Sequence, residues 1–119
     1  MFRTMILTIF LFLSVLAYSE PESFYRDRDC NSRFEGIPEF RNTDGTYTDC
    51  LTPDLAIEYD FAPKWYECIS QAGHYGLLNS RQPVCVLIFK SDRDVKYLIR
   101  GINFVTEYHR KPIPIMVID

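Results

Sequence analysis

The sequence predicts a small α/β domain in which helices flank a mixed β-sheet. Short alternating runs separated by turn residues fill the first half of the chain. Helix-compatible segments then separate two further apolar runs, which is typical of parallel strands joined by helices. The expected order of elements is α-β-β-β-α-β-α-β. With 119 residues, the chain has room for one domain of this kind.

The first half predicts one helix and three strands. Residues 20–36 are polar and charged, and they suit a short helix followed by a loop. The runs IPEFR (37–41) and TYTDCLT (46–52) are joined by NTDG, and Asp-Gly between alternating runs is a strong hairpin signal. A turn at residues 52–54 then precedes the third strand, LAIEYDF (55–61).

The second half predicts two helices and two strands. Pro63 suits the first turn of a helix over residues 63–78. The run PVCVLIF (83–89) is almost wholly apolar, which is typical of a central strand buried on both faces. Ser91 or Asp92 can cap the next helix, whose apolar residues include Val95, Leu98 and Ile99. The last run, IPIMVID (113–119), contains Pro114 and directly follows Pro112. These prolines favour a position at the sheet edge.

Residues 1–19 are predicted to be a signal peptide that precedes a single domain at residues 20–119. A basic residue near the start is followed by an apolar run at 5–17, with small residues at the end, as signal peptidase requires. The apolar run is about 13 residues, shorter than the roughly 20 of a membrane-spanning helix. We therefore expect export to the periplasm or the extracellular space, with no stable membrane span after cleavage. An uncleaved anchor is the alternative.

Four cysteines in a short exported chain predict up to two disulfides, for which three connectivities are possible. We favour a bridge between Cys30 and Cys50, while Cys68 and Cys85 fit equally well as buried thiols. The chain has no Cys-x-x-Cys pair, which argues against a zinc ribbon or a thioredoxin-like redox site.

The formal net charge is −3, and it becomes about −4 once the signal peptide is removed. A mildly acidic domain differs from most proteins that bind nucleic acid through its phosphates. Binding to DNA therefore requires a divalent metal or a local group of basic residues, for which the candidates are Arg26, Arg28, Arg33 and Arg41.

The third strand places two carboxylates on one face. Because side chains alternate along a strand, Glu58 and Asp60 point to the same side. Pairing with the preceding strand can bring Asp49 beside Glu58. Carboxylates held this close raise each other's pKa unless a cation lies between them, and oxygen ligands of this kind suit Mg²⁺ or Mn²⁺. The alternative is an exposed strand face with solvated carboxylates.

The helix that follows has three distinct stripes at 100° per residue. One carries an amine, a thiol, an amide and a phenol: Lys64, Cys68, Gln71 and Tyr75. A second is the expected core face: Trp65, Ile69, Ala72 and Gly76. The side left for solvent carries Glu67, Ser70 and His74.

Together these motifs resemble the PD-(D/E)XK nuclease superfamily, and more narrowly its small bacterial and phage-type members. The resemblance covers residues 30 to about 118. The stretches that carry it are DGT (44–46), DCLT (49–52), IEYD (57–60), KW (64–65) and QAGHY (71–75).

The resemblance implies a restriction-endonuclease-like core and metal-dependent hydrolysis of DNA. Asp49 and Glu58 correspond to residues that bind Mg²⁺ or Mn²⁺, helped by the carbonyl of Tyr59. The family's usual lysine is replaced by Asp60, so we assign the catalytic amine to Lys64. Asp60 then becomes a further metal ligand or a residue that orients Lys64.

Two further expectations come from the same resemblance. Gln71 and Tyr75 match the helix motif of exonuclease-like members, where these residues line the site and contact substrate. An additional acidic residue is expected from Glu39 or Glu35. The alternative functions are an inactive nuclease-fold binding module and an unrelated, disulfide-stabilised secreted binding protein. The sequence predicts no protein partner.

Overall fold

A computed structural model describes residues 20–108 and 111–119. The predicted signal peptide, residues 1–19, lies outside the described residues. Within the described part of the chain, every helix is too short or too polar to cross a membrane.

The predicted α/β class is confirmed, with a mixed sheet of five strands and three α-helices. The elements in chain order are α1 (Glu22–Ser32), β1 (Ile37–Arg41), β2 (Tyr47–Leu51), β3 (Leu55–Phe61), α2 (Trp65–Asn79), β4 (Gln82–Ile88), α3 (Val95–Tyr108) and β5 (Ile115–Ile118). Short 3₁₀ turns at Ala62–Lys64 and Asp92–Asp94 lead into α2 and α3. Ser91 caps the second turn, since its side chain accepts from the N–H of Arg93.

The strands lie in the order β1-β2-β3-β4-β5. β1, β2 and β3 form an antiparallel meander, whereas β3, β4 and β5 are parallel. β4 is a central strand, buried from Val84 to Ile88 as its apolar run predicts. β5 pairs only with β4 within the described sheet, so the edge position that its neighbouring prolines favoured is confirmed.

Each face of the sheet has its own apolar core. On one face, α1 covers a cluster that includes Ile57, Tyr59, Val84, Val86 and Ile88. On the other face, α2 and α3 cover a cluster that includes Ile69, Ala72, Cys85, Leu87 and Val105. Ile57 and Tyr59 thus point to the α1 face, which leaves Glu58 and Asp60 on the α2 face, as the alternation of β3 predicts.

Two disulfides tie helices to this sheet. The favoured bridge, Cys30–Cys50, joins α1 to β2. Cys68–Cys85 joins α2 to β4, so these two residues are bridged and not free thiols. The bridges close loops of 20 and 17 residues, and each stabilises the fold by about 3 kcal/mol in the chain-entropy view. Two buried disulfides are consistent with an oxidising compartment.

The apolar residues that marked α3 in the sequence do not all enter the core. Leu98 packs against the cluster on the α2 face. Val95 and Ile99 are exposed, because the buried side of α3 is centred on Gly101 and Val105. The exposed residues leave an apolar surface on α3.

Candidate functional site

β2 and β3 diverge at the predicted carboxylates. Their backbone pairing extends over Leu51↔Ala56 and Cys50↔Ile57. Beyond this pair, at Asp49 and Glu58, backbone N–H groups bond to side-chain carboxyls and not to the backbone of the neighbouring strand. The N–H of Asp49 donates to Oε1 of Glu58 at 2.9 Å, and the N–H of Tyr59 donates to Oδ2 of Asp49 at 2.8 Å. Asp49 therefore lies beside Glu58, as strand pairing predicts.

The two carboxyls strongly perturb each other. Glu58 is only 2% exposed, and burial together with the charge of Asp49 raises its pKa to about 10. Burial also raises the pKa of Asp49, although the hydrogen bond from the Tyr59 N–H opposes this shift. The raised pKa of Glu58 means that its carboxyl keeps its proton at neutral pH.

A second pair of carboxyls adjoins the first. Asp60 is 5% exposed, and burial and then the neighbouring Glu22 raise its pKa to about 8. Burial and the charge of Asp49 also raise the pKa of Glu22, and the neighbouring Asp60 opposes this shift. Among the described residues, Oδ2 of Asp60 has no hydrogen-bond partner. A buried oxygen left unpaired is costly, so this geometry is not optimised for stability.

Glu22 is a member of this group that the sequence analysis did not include. It lies in the first turn of α1, and the resemblance instead favoured Glu39 or Glu35 as the additional acid. Glu39 accepts from Nη1 of Arg26 at 2.6 Å. Glu35 lines a different depression, beside Leu51 and the 52–53 turn. The sequence contains one signal for Glu22: it lies four residues before Arg26, and this spacing puts both side chains on one face of a helix.

Two basic side chains lie near the carboxyls. Nη1 of Arg26 is 4.0 Å from Oδ1 of Asp49, while the same guanidinium also binds Asp27. Lys64 ends the 3₁₀ turn after β3, and its positive charge lowers the pKa of Glu22. Lys64 therefore lies close enough to Glu22 to affect its pKa, and its catalytic role stays a prediction.

The predicted substrate-binding residues of α2 have different surroundings. Tyr75 is half-buried, and burial and the charge of Glu58 raise its pKa. Gln71 is exposed. Cys68, which shares their stripe, is fully buried in its disulfide. The stripe therefore brings Tyr75 toward the carboxyls and leaves Gln71 at the surface.

A polar cluster fixes the β1–β2 hairpin against α2. Thr48 donates to Oδ1 of Asn42 at 2.8 Å, and Nδ2 of Asn79 donates to the same oxygen at 2.9 Å. At the hairpin tip, hydrogen bonds from Thr46 and then from His74 lower the pKa of Asp44 to about 2. These contacts join the hairpin to α2 at both its base and its tip. The turn motif was visible in the sequence, but its docking on α2 was not.

Two depressions on the surface, of about 300 Å³ beside Phe89 and about 450 Å³ beside Arg81, do not include any of the four carboxyls.

The donor chemistry fits a hard divalent cation. The available ligands are carboxylate oxygens, which suit Mg²⁺ or Mn²⁺, and Oδ2 of Asp60 is a buried oxygen with an unused acceptor. Within residues 20–108 and 111–119, no three His, Cys, Asp or Glu side chains already form a metal cage. The fit is therefore to a cation held by two carboxylates, with water completing its coordination, as is common for Mg²⁺.

Comparisons of the chain with protein-family models, with curated proteins and with solved structures find no significant match. The function is therefore inferred from the site.

Proposed function

We propose that this protein is an exported, divalent-metal-dependent nuclease that hydrolyses phosphodiester bonds of DNA. The observation that carries the proposal is the convergence of four carboxyls, Asp49, Glu58, Asp60 and Glu22, where β2 and β3 diverge. Their pKa values are all raised. Raised pKa values that arise from burial and mutual repulsion are typical of functional sites.

The fold supports a restriction-endonuclease-like core of the PD-(D/E)XK type. A helix, a three-stranded meander, a helix and a parallel strand follow one another in the chain. This arrangement puts the carboxyls at the end of β3 and Lys64 on the turn that follows. It is also the arrangement that the sequence resemblance implies.

Each residue has a role in this proposal. Asp49 and Glu58 would hold Mg²⁺ or Mn²⁺, which when bound lowers the pKa of a water and offsets phosphate charge. Lys64 orients the attacking water and stabilises the phosphate. The Tyr75 phenol donates to a phosphate oxygen, and Gln71 contacts the strand farther from the scissile bond. Asp60 holds Lys64 in place or adds a carboxylate oxygen.

A second candidate function is DNA or protein binding by a nuclease-like fold without turnover. Two observations favour it. Asp60 occupies the position at which the resemblance predicts a lysine. Moreover, three of the four candidate phosphate-binding arginines are engaged within the protein: Arg26 with Glu39, Arg33 with Asp29, and Arg28 with the carbonyl of Asp119.

The third interpretation, solvated surface carboxylates on an unrelated binding protein, explains the structure least well. Glu58 and Asp60 are buried, and both pKa values are raised by that burial. Surface charges would keep ordinary pKa values.

The deciding experiment is cleavage of linear and circular plasmid DNA by the protein recovered after export, with both disulfides formed. The assay compares Mg²⁺ or Mn²⁺ with EDTA. Asp49→Ala and Glu58→Ala test the site. Asp54→Ala, which removes an exposed carboxylate from the β2–β3 turn, is the matched control. We expect metal-dependent degradation that is lost in both site variants and kept in the control.

A folded protein that does not cleave DNA, but whose melting temperature rises with Mg²⁺, would favour the binding module. A protein that neither cleaves DNA nor responds to the metal would refute the nuclease proposal and the metal site together.

A further inference from the structure

The two outer strands of the sheet differ in how their free edges are protected. β1 contains Pro38, which has no N–H to donate, and Glu39, whose φ of 49° interrupts the extended backbone. Both features block pairing with another strand. β5 has neither feature, and its sequence is Ile-Met-Val-Ile from Ile115 to Ile118.

The outer edge of β5 has unused backbone groups. Toward β4, Cys85 N–H donates to the Pro114 carbonyl at 3.0 Å, and Phe89 N–H donates to the Ile118 carbonyl at 2.8 Å. Because backbone groups alternate in direction along a strand, those of Ile115 and Val117 point away from β4. No other described strand pairs with this edge.

An apolar surface lies above the same edge. Val95, Ile99 and Ile102, here called the α3 stripe, are 47%, 53% and 47% exposed. Their spacing places them on one side of the helix. Phe104, about 140 to 180° around the helix from the stripe, packs on Trp65 at the start of α2, with ring centroids 6.0 Å apart. The α3 stripe therefore faces away from α2 and toward the open side of β5.

We propose that β5 and the α3 stripe together form a two-fold interface with a second copy of this chain. Antiparallel pairing lets Ile115 and Val117 exchange hydrogen bonds with Val117 and Ile115 of the partner subunit. This pairing continues the sheet across the axis. It also brings the two α3 stripes together on one face, where both apolar surfaces are buried.

Charge around the α3 stripe is complementary under this symmetry. Lys96 and Glu107 are both exposed, about 20° apart around the helix and about 16 Å apart along it. Two antiparallel α3 helices place each Lys96 opposite Glu107 of the partner subunit, so that the pair forms twice. The blocked edge of β1 excludes head-to-tail growth, because a heterologous contact would need that edge.

The size of the surface indicates reversible association. A helix of 14 residues is about 21 Å long, and with the neighbouring strand it forms a strip about 15 Å wide. This strip covers about 300 Å² in projection, well below the roughly 800 Å² that a standard interface buries on each partner, and it belongs with weak, transient contacts. We expect a dimer that dissociates in the micromolar range.

Sedimentation equilibrium of the exported protein tests the proposal, with Ile102→Asp as the interface variant and Leu77→Asp as the matched control. Leu77 is 82% exposed and lies on α2, outside the proposed surface. Ile102→Asp is expected to weaken dimerisation by about tenfold or more, because it buries an unpaired charge. Leu77→Asp leaves dimerisation unchanged. Thermal melts establish that each variant is folded.

Charge reversal gives an independent test that does not depend on the folding of Ile102→Asp. Lys96→Glu alone and Glu107→Lys alone weaken the dimer, and the two substitutions together restore it. A protein that is monomeric up to its solubility limit would overturn the proposal. So would a dimer that both tests leave unchanged, or open-ended assembly.

Discussion

The two faces of β3 each bury a carboxyl group, and they surround it very differently. On the α1 face, Asp29 accepts from the Tyr59 hydroxyl at 2.7 Å and from Nη2 of Arg33 at 2.8 Å. On the α2 face, Asp60 has an oxygen without a partner, and its carboxyl adjoins that of Glu22. A single step along the strand, from Tyr59 to Asp60, separates the two environments.

This difference distinguishes a carboxylate that stabilises the fold from carboxyls that cost stability. The Asp29 carboxylate is paired with donors, so its removal leaves a buried hydroxyl without an acceptor. The α2-face carboxyls repel one another when they are ionised, and this repulsion and their burial keep their pKa values raised unless a cation neutralises them. Substitutions on the two faces are therefore expected to change stability in opposite directions.

The largest effect is expected from Glu58→Gln. DNA cleavage should fall by about a thousandfold, or about 4 kcal/mol of transition-state stabilisation, because a metal ligand is lost. At pH 8 the free energy of unfolding should instead rise by about 1 kcal/mol. The reason is that a neutral amide at position 58 carries no charge and does not repel the Asp49 carboxylate. Plasmid cleavage and urea denaturation measure the two quantities.

Glu35→Gln is the matched control for this substitution. Its carboxylate is exposed, so neither quantity should change. A loss of stability in Glu58→Gln would contradict the contrast between the faces, because glutamine keeps an oxygen that can accept from the Asp49 N–H and removes only the titrating carboxyl.

The next effect is expected from Asp29→Ala. The free energy of unfolding should fall by about 2 to 3 kcal/mol, because the Tyr59 hydroxyl is left buried and unpaired. The half-exposed Arg33 regains water and adds little. The cleavage rate of the folded fraction should change by less than about twofold. Urea denaturation measures the stability.

Tyr59→Phe supplies the control for Asp29→Ala. In the double variant, the ring at position 59 has no hydroxyl and needs no acceptor, so the two losses should be less than additive by about 1 kcal/mol. Additive losses would show that Asp29 acts through Arg33 and not through the buried hydroxyl.

The sequence alone was enough to predict which residues of β3 share a face. Strand alternation is a local property, and it separates Glu58 and Asp60 from Tyr59 as the structure shows. The hairpin, the central β4 and the edge position of β5 also follow from local signals, namely Asp-Gly, an apolar run and flanking prolines.

Features that depend on how distant elements pack were not predictable. Glu22 comes near Asp60 only because α1 packs against β3, and nothing local to α1 determines that packing. The bridge between Cys68 and Cys85 likewise depends on α2 docking against β4. On α3, helical spacing identifies an apolar side, but it does not say whether Val95 and Ile99 meet the sheet or solvent.

A smaller effect is expected from Lys64→Met, which keeps the aliphatic part of the side chain and removes its charge. Cleavage should slow by about tenfold, or about 1.4 kcal/mol, because the amine no longer orients water and phosphate. Lys111→Met, at an exposed position, is the control. An unchanged rate in Lys64→Met would exclude Lys64 as the replacement for the family lysine.

The last prediction concerns the dependence of stability on pH in the absence of metal. The folded pKa of Glu58 is raised to about 10 from an ordinary 4.5, and that of Asp60 to about 8 from 3.8. At pH values between the unfolded and the folded pKa of these groups, the folded protein binds more protons than the unfolded chain. Stability therefore falls as pH rises through this range. Asp44, with its pKa lowered to about 2 from 3.8, adds the opposite slope only below about pH 4.

The melting temperature in EDTA should therefore be higher at pH 5 than at pH 8, by an amount equivalent to a few kcal/mol. Mg²⁺ should restore most of the loss at pH 8, because it binds the folded state and replaces the missing protons. In Glu58→Gln, the change of melting temperature with pH and its rise on addition of Mg²⁺ should both be smaller. A wild-type melting temperature that rises from pH 5 to pH 8 in EDTA would mean that the carboxyls on the α2 face are stabilising charges, like Asp29 on the other face, and would remove the physical basis for the metal site.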